Sequence, residues 1–67
     1  MKFNLKYKDI DESRELSSEN YTIKDLLNDL ELSSQSLVCK QNGELVIEET
    51  EIKNDDEIQL IQIIYGG

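Results

Sequence analysis

Tyr21-Thr22-Ile23-Lys24-Asp25-Leu26-Leu27-Asn28-Asp29-Leu30 is the stretch that decides how this chain folds. Thr22 stands where a helix cap belongs, and Asp25 follows three positions later to complete a capping box. Tyr21 precedes the cap and Leu26 is the fourth helical residue, the spacing of a hydrophobic staple. Ile23, Leu26, Leu27 and Leu30 recur at i, i+3, i+4 and i+7, which lays them along one apolar stripe. Lys24, Asn28 and Asp29 are left to solvent. The stretch therefore predicts one helix, ending near Leu30 to Leu32 because Ser33-Ser34-Gln35-Ser36 is a polar loop.

Upstream, Lys2-Phe3-Asn4-Leu5-Lys6-Tyr7-Lys8 alternates strictly, so Phe3, Leu5 and Tyr7 share one face of a half-buried strand. Asp9-Ile10-Asp11 reads as a turn and Ser13 to Ser17 as a short second strand, together a hairpin. Downstream, Leu37 to Gln41 is a third strand. Asn42-Gly43 then joins it to Glu44-Leu45-Val46-Ile47, and both turn residues tolerate positive φ, a strong hairpin signal. Asn54-Asp55-Asp56 supplies another tight turn, launching the longest strand-like run, Glu57 to Tyr65. Its dense isoleucine content suits a central strand covered on one face by the helix. The order strand–strand–helix–strand–strand–strand predicts an α+β fold, a mixed sheet of four to five strands packed on one helix. The expected core is Phe3, Leu5, Leu16, Ile23, Leu26, Leu27, Leu30, Leu37, Val46, Ile58 and Leu60.

At 67 residues the chain makes one domain. Its single cysteine, Cys39, excludes an internal disulfide and a multi-cysteine metal site, and the absence of histidine removes a zinc cluster or a histidine base. No apolar leader and no run long enough to span a bilayer is present, so a cytoplasmic protein without a membrane partner is expected. Seven basic residues against fifteen acidic ones give a formal charge of −8. That balance repels a phosphate backbone, so no direct nucleic-acid partner is expected. The plain reading of this charge is solubility; the functional alternative is steering towards a basic face on a partner enzyme.

The pairs Glu48-Glu49 and Asp55-Asp56 receive no catalytic or metal role, because adjacent strand residues point to opposite faces and such carboxylates are ordinarily solvated. Cys39 shares a face with Leu37 and reads as a small buried hydrophobe; a partner-linked persulfide or disulfide is the alternative.

Glycine occurs three times, twice as Gly66 and Gly67. Glycine loses the most backbone entropy on ordering and packs nothing, so this pair does not serve stability. A single domain, residues 1–67, with a flexible tail at 66–67 is expected. The plain alternative is an indifferent frayed terminus; the functional reading is that an extended Gly-Gly can thread a narrow channel and place its terminal carboxylate beside ATP. Attack on the α-phosphate gives an acyl-adenylate, which a persulfide converts to a thiocarboxylate or a lysine takes as an isopeptide. The chain has no P-loop, no metal cage and no general base, so it is not itself an enzyme and activation falls to another protein. The last strand holds more apolar residues than one buried face uses. Ile58 and Leu60 fit the helix-covered face, while Ile61, Ile63 and Tyr65 are expected to form a docking surface near the tail.

Taken together, Arg14-Glu15-Leu16, the helix start Thr22-Ile23-x-Asp25-Leu26-Leu27, Asn42-Gly43-Glu44-Leu45-Val46, the turn Asn54 to Ile58 and Gly66-Gly67 carry a resemblance. Their order and spacing resemble the thiamine-pathway and molybdopterin sulfur carriers over essentially the whole chain. The chain end is also similar to archaeal small modifier proteins and to the eukaryotic ubiquitin-related modifier of tRNA thiolation. The resemblance implies a β-grasp, ubiquitin-like fold, with Gly67 as the acyl and thiocarboxylate carrier, Gly66 as the slender approach and Asn42-Gly43 as a structural turn. It also implies three partners: an E1-like adenylating enzyme that uses ATP, a sulfur donor such as a cysteine desulfurase or rhodanese, and a downstream sulfur acceptor enzyme. No cofactor is implied on the chain itself. Ile63-Ile64-Tyr65 stands where these carriers commonly have a Gly-rich run or Pro and Ala. Cofactor synthesis, tRNA thiolation and lysine conjugation therefore stay open, as does a plain β-grasp interaction module.

Overall fold

The computed structural model describes residues 1–16 and 18–63. Among the described residues the one α-helix, α1 (Ile23–Asp29), starts where the cap requires. The Asp25 N–H donates to Thr22 Oγ1 at 3.2 Å and the Thr22 N–H donates to Asp25 Oδ2 at 3.0 Å. The free N–H groups of the first turn find carbonyls in the distant segment 48–50, Ile23 to Thr50 at 3.0 Å and Lys24 to Glu48 at 2.9 Å. Leu30 caps the other end, as the change to polar sequence predicts. The Tyr21 hydroxyl donates to the Asp29 carboxylate in a partly buried bond that spans the length of the helix. Burial, then the Asp29 hydrogen bond and charge, push the phenol well above its ordinary range.

Five strands, β1 (Lys2–Tyr7), β2 (Ile10–Glu15), β3 (Leu37–Gln41), β4 (Glu44–Val46) and β5 (Glu57–Gln62), form one sheet in the order β2-β1-β5-β3-β4. β5 is central, as its composition predicts. It runs parallel to β1 and antiparallel to β3, so the sheet is mixed. The Asn42-Gly43 turn has positive φ at both residues, 53° and 88°, the geometry a two-residue hairpin needs.

The first hairpin differs from the sequence reading. Its turn is Lys8-Asp9, not Asp9-Ile10-Asp11, and β2 begins at Ile10, opposite Tyr7. Lys8 takes the positive φ, 54°, that this turn demands. No glycine or asparagine announces it. β4 is one residue shorter than expected, because Ile47 leaves the ladder and the chain crosses towards the helix start. β5 ends at Gln62, and the expected continuation over Ile64 and Tyr65 lies outside the described residues.

Phe3, Leu5, Ile23, Leu26, Leu27 and Ile58 form the buried centre between sheet and helix. Leu37 and Leu60 join them as expected, whereas Leu16, Leu30 and Val46 are only half-buried at the margin. Tyr21, Cys39 and Ile52 complete the core. Ile52 carries no periodic signal of its own, and is drawn in by its N–H bond to the Tyr21 carbonyl at 2.8 Å.

Candidate functional site

Successive residues of a strand point to opposite faces, so the register fixes which side chains share the uncovered face of the sheet. Leu5 pairs with Ile58, and Cys39 pairs with both Leu60 and Val46; these face the helix. Val38 opposite Ile61, and Lys40 beside Gln59 and Leu45, face away from it. Ile61 is 38% exposed and Leu45 68%. Ile63 is 37% exposed, with its N–H bonded to the Ser36 carbonyl at 2.8 Å. The end of β5 therefore carries an apolar patch on the open face, in which Ile61 meets Val38. Tyr65, Gly66 and Gly67 lie outside the described residues.

Val38 and Leu45 were not singled out from the sequence. The alternation that sends Leu37 and Cys39 inward sends Val38 outward, but only the β3–β5 register shows that it lands opposite Ile61.

The charges are divided unequally. The open face carries Lys2, Lys6 and Lys40 with Asp11, Glu15 and Glu57, three of each sign. Lys6 and Glu57 approach to 3.5 Å, both half-exposed. The formal charge of −8 therefore sits wholly on the helix side, the edges and the loops. A neutral, partly apolar face backed by an acidic body is the electrostatic form of the domain.

Opposite the tail, the start of β5 is tied down by side chains. Asp56 accepts from the Lys53 N–H and Gln41 Nε2, both at 2.7 Å, and from Asn42 Nδ2 at 2.9 Å. The same turn bonds β1: the Asp55 N–H reaches the Lys2 carbonyl at 2.7 Å and the Asn4 N–H the Asp56 carbonyl at 2.8 Å. Burial acts to raise the Asp56 carboxyl. The hydrogen bonds from Asn42, Lys53 and Gln41 outweigh it and hold the group below its ordinary value. One end of the central strand is thus fixed to both of its neighbours, while the other end leads to the tail.

Cys39 is buried at 6% exposure, in the packing role its position predicts. Burial, and secondarily the Glu48 carboxylate, push its thiol up, away from the nucleophilic form. Among the described residues no three His, Cys, Asp or Glu side chains gather as a metal site, and no helix is long and apolar enough to cross a membrane.

Comparison with known proteins agrees with this architecture. The chain matches the ThiS family over residues 1–67. Its fold is similar to the crystal structure of SAMP1 from Haloferax volcanii, with a TM-score of 0.73, 16% identity and coverage of 100% of both chains. It is also similar to the thiamine biosynthesis protein ThiS from Geobacter metallireducens, with a TM-score of 0.66 and 18% identity over 96% of this chain and 99% of that one. Family members are carriers and modifiers rather than catalysts. With its five-stranded mixed sheet on one helix and a match along its whole length, the chain belongs to the ThiS family of β-grasp sulfur carriers.

Proposed function

We propose that the chain carries sulfur as a thiocarboxylate on Gly67, after adenylation of that residue's carboxylate by an E1-like partner. The observation that carries this reading is the family match running through Gly66-Gly67, at the end of a sequence with one other glycine. A carboxylate oxygen of Gly67 attacks the α-phosphorus of ATP and pyrophosphate leaves. The terminal sulfur of a donor persulfide, on a cysteine desulfurase or rhodanese, then attacks the acyl carbon and AMP leaves. Thiol reduction of the resulting acyl disulfide frees the thiocarboxylate. A downstream acceptor enzyme draws the sulfur from it for cofactor biosynthesis or tRNA thiolation.

Docking falls to Ile61 and Ile63, with Val38 beside them and Tyr65 further along the chain. An exposed apolar cluster on a neutral face, in an otherwise acidic domain, suits the desolvated centre of an interface. The acidic remainder favours a basic partner surface and sets orientation.

The test is to incubate the protein with its host's adenylating enzyme, ATP and a sulfur donor, and to measure intact mass. A gain of about 16 Da, oxygen replaced by sulfur, is expected. No gain, or sulfur attached through Cys39, overturns the reading. Lysine-linked adducts in cell extract without any thiocarboxylate would assign the chain to conjugation instead.

A further inference from the structure

With seven residues, α1 is too short to roof the whole inner face of the sheet. At the margin formed by β3 and β4 it leaves a cleft of about 330 Å³, bounded by the 3₁₀ turn Ser34–Ser36 and the chain leaving β4. Leu37, Cys39 and Val46 line it, Ile47 forms a wall that is 68% exposed, and Glu48 and Glu49 stand at its rim. The backbone of that rim is fixed, since the Glu48 carbonyl accepts the Lys24 N–H at 2.9 Å. Neither carboxylate has a basic partner within ion-pair distance among the described residues; the ion pairs there are Lys6–Glu57, Arg14–Glu12 and Lys53–Glu51.

Where this cleft lies matters as much as what lines it. Leu37 pairs with Gln62, and the Ser36 carbonyl holds the Ile63 N–H at 2.8 Å, so the cleft borders the end of β5. It is nevertheless on the helix side, on the other face of the sheet from Val38 and Ile61. A protein that takes up the tail is brought alongside it.

We propose that the cleft seats an apolar side chain from a basic segment of the adenylating partner, with a Lys or Arg of that segment meeting Glu48 and Glu49. This rests on the carrier reading given above. Two features select the occupant. The apolar floor calls for a side chain without charge, and the unpaired carboxylates at the rim call for a cation beside it. A second copy of the chain is disfavoured, because each copy brings a charge of −8. The partner therefore grips the sheet margin from both sides, the open-face patch on one and this cleft on the other.

The experiment is steady-state adenylation by the host's activating enzyme, read as ATP–pyrophosphate exchange, with the carrier concentration varied. Glu48→Gln with Glu49→Gln neutralises the rim with little change of shape, and should raise the KM for the carrier about fivefold at unchanged kcat. Ile47→Ser removes the wall from an exposed position and should raise KM roughly tenfold. Asp9→Asn with Glu12→Gln removes the same charge at the β2 edge, the opposite side of the sheet from β3 and β4, and should leave KM within about twofold. An equal rise from that distant pair would reduce the effect to general attraction and overturn the proposal. So would an unchanged KM in both cleft variants, or a wild-type dimer in sedimentation that Ile47→Ser dissolves. If wild type is adenylated while KM ignores the cleft, the cleft proposal alone falls. If wild type is not adenylated at all, the carrier reading falls with it.

Discussion

Asn42 and Glu57 are bonded twice, the Asn42 N–H to the Glu57 carbonyl at 2.8 Å and the Glu57 N–H to Asn42 Oδ1 at 2.9 Å. The residue that gives the β3–β4 hairpin its turn thus also anchors the first residue of the central strand. Asp56 completes the knot by accepting from Asn42, Gln41 and Lys53.

Asp56→Ala should destabilise the fold by about 2 kcal/mol near neutral pH, after allowance for the partial exposure of the group. Urea unfolding checks this.

The same carboxylate makes stability pH-dependent. Its folded value lies below the ordinary 3.8, so its contribution is complete above that value and is lost as pH falls through the lower, folded one. Thermal melts from about pH 6 to about pH 2 should show wild type losing stability on acidification. Asp56→Asn should start lower and fall less steeply. Parallel curves would contradict the assignment.

Gly43 has φ of 88° with no atom near the place a Cβ would occupy. Gly43→Ala therefore meets only the backbone penalty, about 1 kcal/mol in denaturant unfolding. Gly43→Asn should lose less, since asparagine tolerates the left-handed region. A much larger loss would mean a clash that the geometry does not contain.

Thr22→Ala removes the acceptor for the Asp25 N–H and should lower stability by about 1 kcal/mol. Thr22→Ser should restore most of it. Measurement of both by chemical denaturation separates the cap from side-chain bulk.

Ile61→Ala combined with Ile63→Ala removes exposed apolar surface at the end of β5. The expected outcome is a rise of roughly tenfold in the carrier's KM for adenylation, the scale of a modest interface anchor, with the melting temperature nearly unchanged. Tyr65→Ala should act in the same direction. Unaltered kinetics would remove these residues from the docking surface.

The helix and the second hairpin were legible because local chemistry settles them. Thr22 with Asp25 fixes a start, and Asn42-Gly43 fixes a turn, whatever surrounds them. The Lys8-Asp9 turn was not legible, because a lysine at positive φ is imposed by strand pairing rather than by its own preference. Ile52 was hidden for a similar reason, since its burial follows from a loop bond to Tyr21 and not from any repeat. At the candidate site, outward-pointing isoleucine was readable from the surplus of apolar residues in β5. Its neighbour Val38 and the cleft beneath Ile47 needed the register and the helix length, which are tertiary facts.

The parallel pairing of β1 with β5 links Lys2–Tyr7 to a segment made some fifty residues later. During translation the early hairpin has no neighbour on its inner edge until Glu57–Gln62 has left the ribosome, and such distant pairings are slow to close. A fragment cut short before Ile58 lacks the middle of its own sheet. The segment that completes the sheet is therefore also the one that leads on to Gly66 and Gly67.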